Sequence, residues 1–157
     1  MRSAGVDHGG RWIGLALSDP LGSIAQPLEN IDGEAQAIAR IKALMADRGV
    51  ARVVVGLPRN MDGSLGPRAQ AVLRFVEKLR AEALVEVEPW DERLTTAQAE
   101  RSLEAAGFPR RRWAEKVNQV SAQIILQSFL DAERARAQPP EPPEEAETDV
   151  DEEPTPP

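Results

Sequence analysis

The sequence contains no cysteine and only one histidine, His8, among its 157 residues. The absence of cysteine excludes disulfide bonds, thiolate metal ligands and a cysteine nucleophile, and it is consistent with a reducing cytoplasm. A single histidine cannot form a metal site that is built from several imidazoles. The two common kinds of zinc site are therefore excluded.

Long hydrophobic runs are also missing. Residues 1–7 lack the apolar region of a signal peptide, and no stretch approaches the roughly 18 apolar residues of a membrane span. The length is sufficient for one domain with a real hydrophobic core and too short for two. We therefore expect one soluble domain that acts in the cytoplasm and not at a membrane.

Acidic residues are concentrated at the C-terminus. The chain has 19 Lys and Arg against 26 Asp and Glu, but residues 138–157 hold eight of the acidic residues and no basic one. The remaining body is close to neutral and is electrostatically open to a polyanion such as nucleic acid. Because the acidic segment is rich in proline and has nothing to pack, we predict a folded domain over 1–137 and a disordered tail over 138–157.

Hydrophobic patterning predicts an α/β fold. Runs of β-branched and alternating apolar residues indicate five strands, at 2–7, 12–18, 23–28, 51–56 and 84–89. Periodic apolar residues indicate four helices between and after the later strands. This βββαβαβα order, with a further helix at the end, predicts a mixed β-sheet with helices on both faces.

Helix boundaries can be read from particular residues. Asp32 is expected to cap the first helix, and Gly49 to end it. Pro67 is expected at the first position of the second helix. Thr95, with Gln98 three residues later, forms a capping box for the third helix, and the last helix is expected over 117–135.

Asp7 is the first candidate for chemistry. It is expected to end the first strand, and Gly9 and Gly10 follow it. A carboxylate at such a place can face a cleft, while the glycines let a phosphate approach the backbone closely. An aspartate just before glycine is also a common hairpin signal. The motif alone leaves both interpretations open.

Glu92 and a set of basic residues are further candidates. Glu92 and Asp91 stand between a strand and a helix, where they could form a metal site or a solvated cluster that favours the helix N-terminus. Basic side chains could contact phosphates, although such residues usually form a solvated face. The candidates are Arg11, Arg59, Arg68, Arg110, Arg111, Arg112 and Lys116.

Together these segments resemble the YqgF family. The resemblance rests on four blocks in the right order, at residues 5–19, 55–63, 90–96 and 122–127, and it covers residues 2–131. Members of this family are RuvC-like proteins of the RNase H superfamily. Resolution of Holliday junctions and processing of pre-16S rRNA are their proposed activities. The resemblance implies an RNase H-like fold and a nuclease activity.

The resemblance also assigns roles to residues. It makes Asp7 and Glu92 catalytic carboxylates and metal ligands, and it places Asn118 at the third acidic position of the family. Asn118 is neutral, so the chain departs from the family pattern there. Phosphodiester hydrolysis at such a site uses Mg²⁺ or Mn²⁺, typically two ions about 4 Å apart. The implied substrate is structured nucleic acid, either an rRNA precursor or branched or single-stranded DNA.

Two other classes of protein share some of these features. Actin-like and sugar-kinase-like ATP-binding proteins have a similar Asp-x-Gly hairpin, but they need a second domain for which the chain has no room. A non-catalytic nucleic-acid-binding or regulatory module is favoured by the neutral Asn118. RNA and DNA substrates are not distinguished by the sequence.

Overall fold

The computed structural model of the chain describes residues 1–93 and 95–140, with residues 95–97 described by their backbone alone. Five strands and four α-helices make up this part of the chain, and a short 3₁₀ turn at Arg110–Arg112 leads directly into the last helix. In chain order the elements are β1 (Arg2–Gly9), β2 (Trp12–Ser18), β3 (Ala25–Asp32), α1 (Glu34–Arg48), β4 (Val50–Leu57), α2 (Pro67–Ala83), β5 (Glu86–Asp91), α3 (Thr95–Ala105) and α4 (Trp113–Ala137).

The strands form one mixed sheet in the order β3-β2-β1-β4-β5. The first three strands are antiparallel neighbours, whereas β4 runs parallel to both β1 and β5. Parallel neighbours require crossover connections, which helices α1 and α2 provide. The predicted mixed sheet is confirmed.

The two faces of the sheet are covered by different helices. Alternation along β1 directs Ala4 and Val6 into a large core with α1 and α2, where Phe75 is fully buried. The opposite face packs against α4 in a smaller core that includes Ala16 and Ile125. The prediction of helices on both faces is therefore confirmed.

Helix α4 approaches its face of the sheet unusually closely. A Cβ atom added to Gly14 would lie 2.1 Å from the backbone oxygen of Asn118, and one added to Gly5 would lie 2.7 Å from that of Ala122. Glycine at these two positions of β1 and β2 leaves the space that the helix backbone occupies. The glycines of the first sequence block therefore have a packing role.

Several predicted boundaries differ from the structure. Strand β1 continues to Gly9, so Asp7 lies inside the strand and does not end it. Asp32 is the last residue of β3 and does not cap α1, whose N-cap is Gly33. The side chain of Asp32 instead accepts hydrogen bonds from Arg11 at 3.0 and 3.1 Å. The carboxylate of Asp32 thus forms an ion pair with Arg11 and does not contact the helix N-terminus.

Other boundaries agree or begin earlier than expected. Gly49 ends α1 in the left-handed conformation (φ 69°), and Pro67 is the first residue of α2. Helix α4 begins at Trp113, earlier than the expected start at residue 117. The capping role of Thr95 lies outside the described side chains. Most of the expected tail, residues 141–157, also lies outside the described residues.

None of the helices in residues 1–93 and 95–140 combines the length and the apolar character that crossing a membrane requires.

The close approach of α4 makes a prediction about stability. Gly14→Ala should lower the free energy of unfolding by about 3 kcal/mol or more, because the new methyl group meets helix backbone that cannot rotate away. Urea denaturation followed by circular dichroism measures this change. Gly66→Ala is the matched control, since a Cβ there meets only the side chain of Asn60 at 3.4 Å. It should cost about 1 kcal/mol or less. Equal losses in the two variants would contradict the packing role of Gly14.

Candidate active site

Asp7 and Glu92 meet at one end of the sheet. Asp7 lies in β1 on the face that α4 covers, and Glu92 follows directly after β5, where its N–H donates to the oxygen of Leu57 at 3.2 Å. Strands β1, β4 and β5 are parallel, so their carboxyl ends lie at the same edge, as in other α/β sheets with a site. The two carboxyl groups are in hydrogen-bonding contact with each other.

A glycine makes room for Glu92. A Cβ atom on Gly56 would lie 2.5 Å from Oε2 of Glu92 and 2.4 Å from the side chain of Ile125. Since Gly56 lies in β4 between the strands that carry the two acids, it lets the Glu92 carboxyl cross toward Asp7. The second sequence block, which contains Gly56, therefore contributes space to the site.

The environment of the carboxyl pair disfavours the charged forms of both acids. Burial raises the pKa of Asp7 to about 6, against the opposing charges of Arg68 and His8. Burial, and next the charge of Asp7, raise the pKa of Glu92 to about 8. Two carboxylates in contact repel each other, so the pair holds a proton near neutral pH. Perturbed acids of this kind are typical of functional sites.

Arg68 provides positive charge beside both acids. It lies in the first turn of α2, and its Nη2 donates to the backbone oxygen of His8 at 3.0 Å. The positive charge of its guanidinium lowers the pKa of both Asp7 and Glu92, against the effect of burial. Of the basic candidates from the sequence, Arg68 is thus placed at the carboxyl pair.

Helix α4 brings Asn118 and Ser121 to the same face. The amide nitrogen of Asn118 donates to the backbone oxygen of Trp12 at 3.3 Å, and its side chain lies over Gly9, two residues from Asp7. Ser121, one turn further along the helix, is buried, and its hydroxyl favours the charged form of Asp7. Its oxygen has no well-formed hydrogen bond among the described residues. Sequence reasoning missed Ser121, whose only signal is its helical spacing from Asn118.

The other basic candidates surround the site without entering it. Arg59 donates to the oxygen of Gly63 and lowers the pKa of Asp91, so it lies near the loop that carries Glu92. Arg11 is exposed, and its hydrogen bonds go to Asp32. None of the described hydrogen bonds joins either arginine to Asp7 or Glu92.

The arginine run lies at the start of α4. Arg110 stacks over the ring of Trp113 at 5.2 Å, and Arg112 pairs with Glu115 at 3.2 Å. Trp113 donates to the oxygen of Phe108 and is half-buried, so it has a packing role. Arg111 is exposed and Lys116 is half-buried on the same stretch of chain. This stretch leads into the turn that carries Asn118.

His8 is directed away from the carboxyl pair. Its Nε2 contacts Glu34 at 2.8 Å, and its ring packs edge-on against Phe75 at 5.1 Å. Lys78 contacts the other oxygen of Glu34 at 3.3 Å. The only histidine of the chain is thus held in a network between β1, α1 and α2, on the face opposite to Asp7.

The chemistry of the donors fits a hard divalent cation. The described residues contain no group of three or more acidic or imidazole side chains that could hold a metal. They do place two carboxyls in contact, with the amide of Asn118 and the hydroxyl of Ser121 on the adjoining helix face. Oxygen atoms are the ligands that Mg²⁺ and Mn²⁺ prefer, and a cation would relieve the repulsion between the carboxylates. The site carries one charge fewer than a site with three acids.

The fold is that of the RNase H-like nucleases of the RuvC type. The RuvC protein of T. thermophilus in complex with a Holliday junction substrate matches with a TM-score of 0.54 at 20% identity, over 88% of this chain and 99% of that one. The fowlpox virus resolvase in complex with Holliday junction DNA also gives a TM-score of 0.54, at 10% identity, over 84% of this chain and 98% of that one. These similarities establish the fold class that the sequence predicted.

Residues 1–132 match the family model described as "RuvX: Holliday junction resolvase", and the chain belongs to this family, which is also called YqgF. A protein of Geobacillus kaustophilus is 44% identical over 85% of this chain and 100% of its own length. A protein of Moorella thermoacetica is 50% identical over 83% of this chain and 95% of its own length. Both are named "Putative pre-16S rRNA nuclease". The resemblance seen in the sequence is confirmed.

The raised pKa values predict how stability depends on pH. Because the folded-state pKa values of both acids lie above their ordinary values, their contribution to stability is fully present below about pH 4. It is lost as the pH rises through about 6 for Asp7 and about 8 for Glu92. Asp7→Asn removes one of the two charges. In EDTA, the melting temperature of Asp7→Asn minus that of the parent should therefore increase by roughly 3–8 °C from pH 4 to pH 8.5.

Asp32→Asn is the control for this measurement. Asp32 is exposed, and Arg11 holds the pKa of its carboxyl below the usual value. Its curve should therefore stay parallel to that of the parent above pH 5. If the melting temperatures of Asp7→Asn and the parent also changed in parallel with pH, the charges of Asp7 and Glu92 would not destabilise the folded state.

Proposed function

We propose that the chain is a metal-dependent nuclease that hydrolyses phosphodiester bonds in structured nucleic acid. Its substrate is the 5′ end of pre-16S rRNA, branched DNA, or both. The observation that carries the proposal is the contact between Asp7 and Glu92 at the carboxyl end of three parallel strands, in a chain of the RuvX family. We propose the cytoplasm as the place where it acts.

The acids and the amide would hold the metal. Asp7 and Glu92 would bind Mg²⁺ or Mn²⁺ through carboxylate oxygens, and Asn118 through its amide oxygen. A metal bound there supplies an activated water and neutralises charge on the phosphate. The raised pKa values imply that metal and protons compete for the same two carboxyls.

The remaining side chains would bind and orient the nucleic acid. Arg68 stands beside both carboxyls and can pair with a phosphate oxygen there. Gly10 leaves the hairpin backbone open to close approach, because a side chain there would meet nothing within 4 Å, whereas Gly9 is covered by the side chain of Asn118. Arg11, Arg59, Arg110, Arg111, Arg112 and Lys116 lie outside the carboxyl pair and would contact phosphates further along the strand.

A non-catalytic nucleic-acid-binding or regulatory module is the second candidate. The observation that favours it is the neutral side chain of Asn118, together with the absence of a three-acid cluster in the described residues. Such a module would bind nucleic acid through the same arginines without cutting it.

A nuclease panel distinguishes the two candidates. The substrates are a pre-16S rRNA fragment, a four-way DNA junction, single-stranded RNA and single-stranded DNA, each with Mg²⁺ and with Mn²⁺. Cleavage that is abolished in Asp7→Asn supports the nuclease. Binding without cleavage by the parent in every condition supports the regulatory module. Cleavage that survives in Asp7→Asn would exclude Asp7 from the site.

The arginine run should act on affinity. Replacing Arg110, Arg111 and Arg112 together by Ala should weaken binding and reduce the salt slope by up to roughly 0.9 for each duplex phosphate that the protein no longer neutralises. Binding isotherms at several salt concentrations measure the slope. Replacing Arg48, Arg134 and Arg136 by Ala removes the same charge at the other end of the sheet and should leave more of the slope intact. Identical slopes in the two triple variants would show that the run is only a solvated face.

Asn118 should limit activity. An amide oxygen brings no negative charge, and hard cations are held mainly by charge. Asn118→Asp should therefore lower the metal concentration for half-maximal cleavage by roughly tenfold, which corresponds to about 1.4 kcal/mol. A titration of Mg²⁺ and of Mn²⁺ on one labelled substrate measures this. An unchanged metal requirement, with cleavage still abolished in Asp7→Asn, would show that Asn118 is not a metal ligand.

A further inference from the structure

Trp12 is an exposed aromatic residue beside the candidate active site. It is the first residue of β2, and 46% of its surface is accessible. Among the described residues, no other aromatic side chain is exposed to this extent. Tryptophan combines a large apolar ring with a polar N–H group, which suits it to contacts with a ligand.

Strand geometry places Trp12 on the same face of the sheet as Asp7. Trp12 pairs with Gly9 and Gly14 pairs with Asp7, and Gly14 is in contact with α4. Side chains two residues apart on a strand share a face and lie about 7 Å apart. A strand of nucleic acid with a phosphate at Asp7 would therefore reach Trp12 within roughly one or two nucleotides.

A cavity of about 370 Å³ opens next to the ring. Trp12 and Asn30 line it from the sheet, and Ala114 and Glu115 line it from the first turn of α4. The space admits a planar ring of the size of a nucleobase. Asn118 connects this cavity to the candidate site, because its amide donates to the backbone oxygen of Trp12.

The cavity offers the interactions that a base uses. The guanidinium carbon of Arg11 lies 5.3 Å from the centre of the Trp12 ring, a cation–π contact that a base could displace. Asn30 donates to the backbone oxygen of Glu115, and its own side-chain oxygen is buried without a partner among the described residues. The carboxylate of Glu115 is paired with Arg112, so it does not leave an unbalanced negative charge. The surroundings thus combine an apolar ring, an amide and cationic neighbours.

We propose that Trp12, Asn30 and the first turn of α4 form a subsite that binds one unpaired base of the substrate by stacking. This inference rests on the proposed nuclease function and names how the same site selects its substrate. Only an unpaired base can present its full ring face to a side chain, whereas a paired base stays in its stack. The subsite would favour junctions, ends and loops over continuous duplex.

Single-turnover cleavage with Mn²⁺ tests the subsite on whichever single-stranded substrate the parent cuts. Trp12→Leu should raise the protein concentration for half-maximal rate by about 5- to 150-fold, the range known for one stacked base. It should change the maximal rate much less, because the carboxyl pair is intact. Trp12→Phe should restore most of the affinity. Leu21→Ala, which removes an exposed apolar side chain at the other end of the sheet, should have no effect.

The same substrate with one abasic nucleotide, moved stepwise along the strand, identifies the stacked base. At one position near the cut, an abasic nucleotide should weaken binding by the parent about as much as Trp12→Leu weakens binding to the intact strand. The same abasic nucleotide should not weaken binding by Trp12→Leu any further. Equal effects of Trp12→Leu on intact and abasic strands at every position would overturn the subsite while the nuclease function stands. An unchanged affinity in Trp12→Leu would do the same. If the parent cuts no nucleic acid, the proposed function fails and the subsite fails with it.

Discussion

The contact between α4 and the glycines of the sheet is the constraint on which the site depends. The helix backbone lies where side chains at Gly5 and Gly14 would otherwise stand, so its distance from β1 and β2 is set by backbone contact. Only at this distance do Asn118 and Ser121 reach the face that carries Asp7. Gly56 has the same effect for the Glu92 side chain. The absence of side chains at these glycines thus determines where the polar groups meet.

This arrangement has an energetic cost that the rest of the fold must offset. Two buried carboxyls in contact are less stable than two solvated ones, and their raised pKa values express this difference. The opposite face of the sheet compensates with a continuous core of fully buried side chains from β1, β4, α1 and α2, including Ile41, Phe75 and Leu79. A rigid apolar face therefore supports a strained polar face across a single sheet. A divalent cation bound to the two carboxylates would reduce the repulsion between them.

Much of the fold follows from local sequence patterns, because strands and helices of this length have clear apolar periods. Gly49 and Pro67 mark helix ends through backbone geometry that few other residues share. The position of Asp7 within β1 could not be read locally, since Gly9 and Gly10 allow more than one turn. Ser121 and the reach of Arg68 to the carboxyls depend on contacts between distant segments. Local sequence makes Asp7 and Glu92 candidates, the motif resemblance assigns their roles, and their contact depends on the register of three parallel strands.

Adjacent residues of β1 show how strictly this register is set. Asp7 faces α4 and the candidate site, whereas His8 faces the other core, where Glu34 and Phe75 hold it. A shift of the hairpin by one residue would exchange these faces, burying Asp7 beside Phe75 and exposing His8 to the carboxyl of Glu92. The shift would also place a side chain next to Gly5 or Gly14 in sequence, such as Val6 or Ile13, against the backbone of α4 that these glycines now accommodate. The same glycines that admit the helix therefore exclude the wrong register, and packing and chemistry select one pairing of β1 with β2.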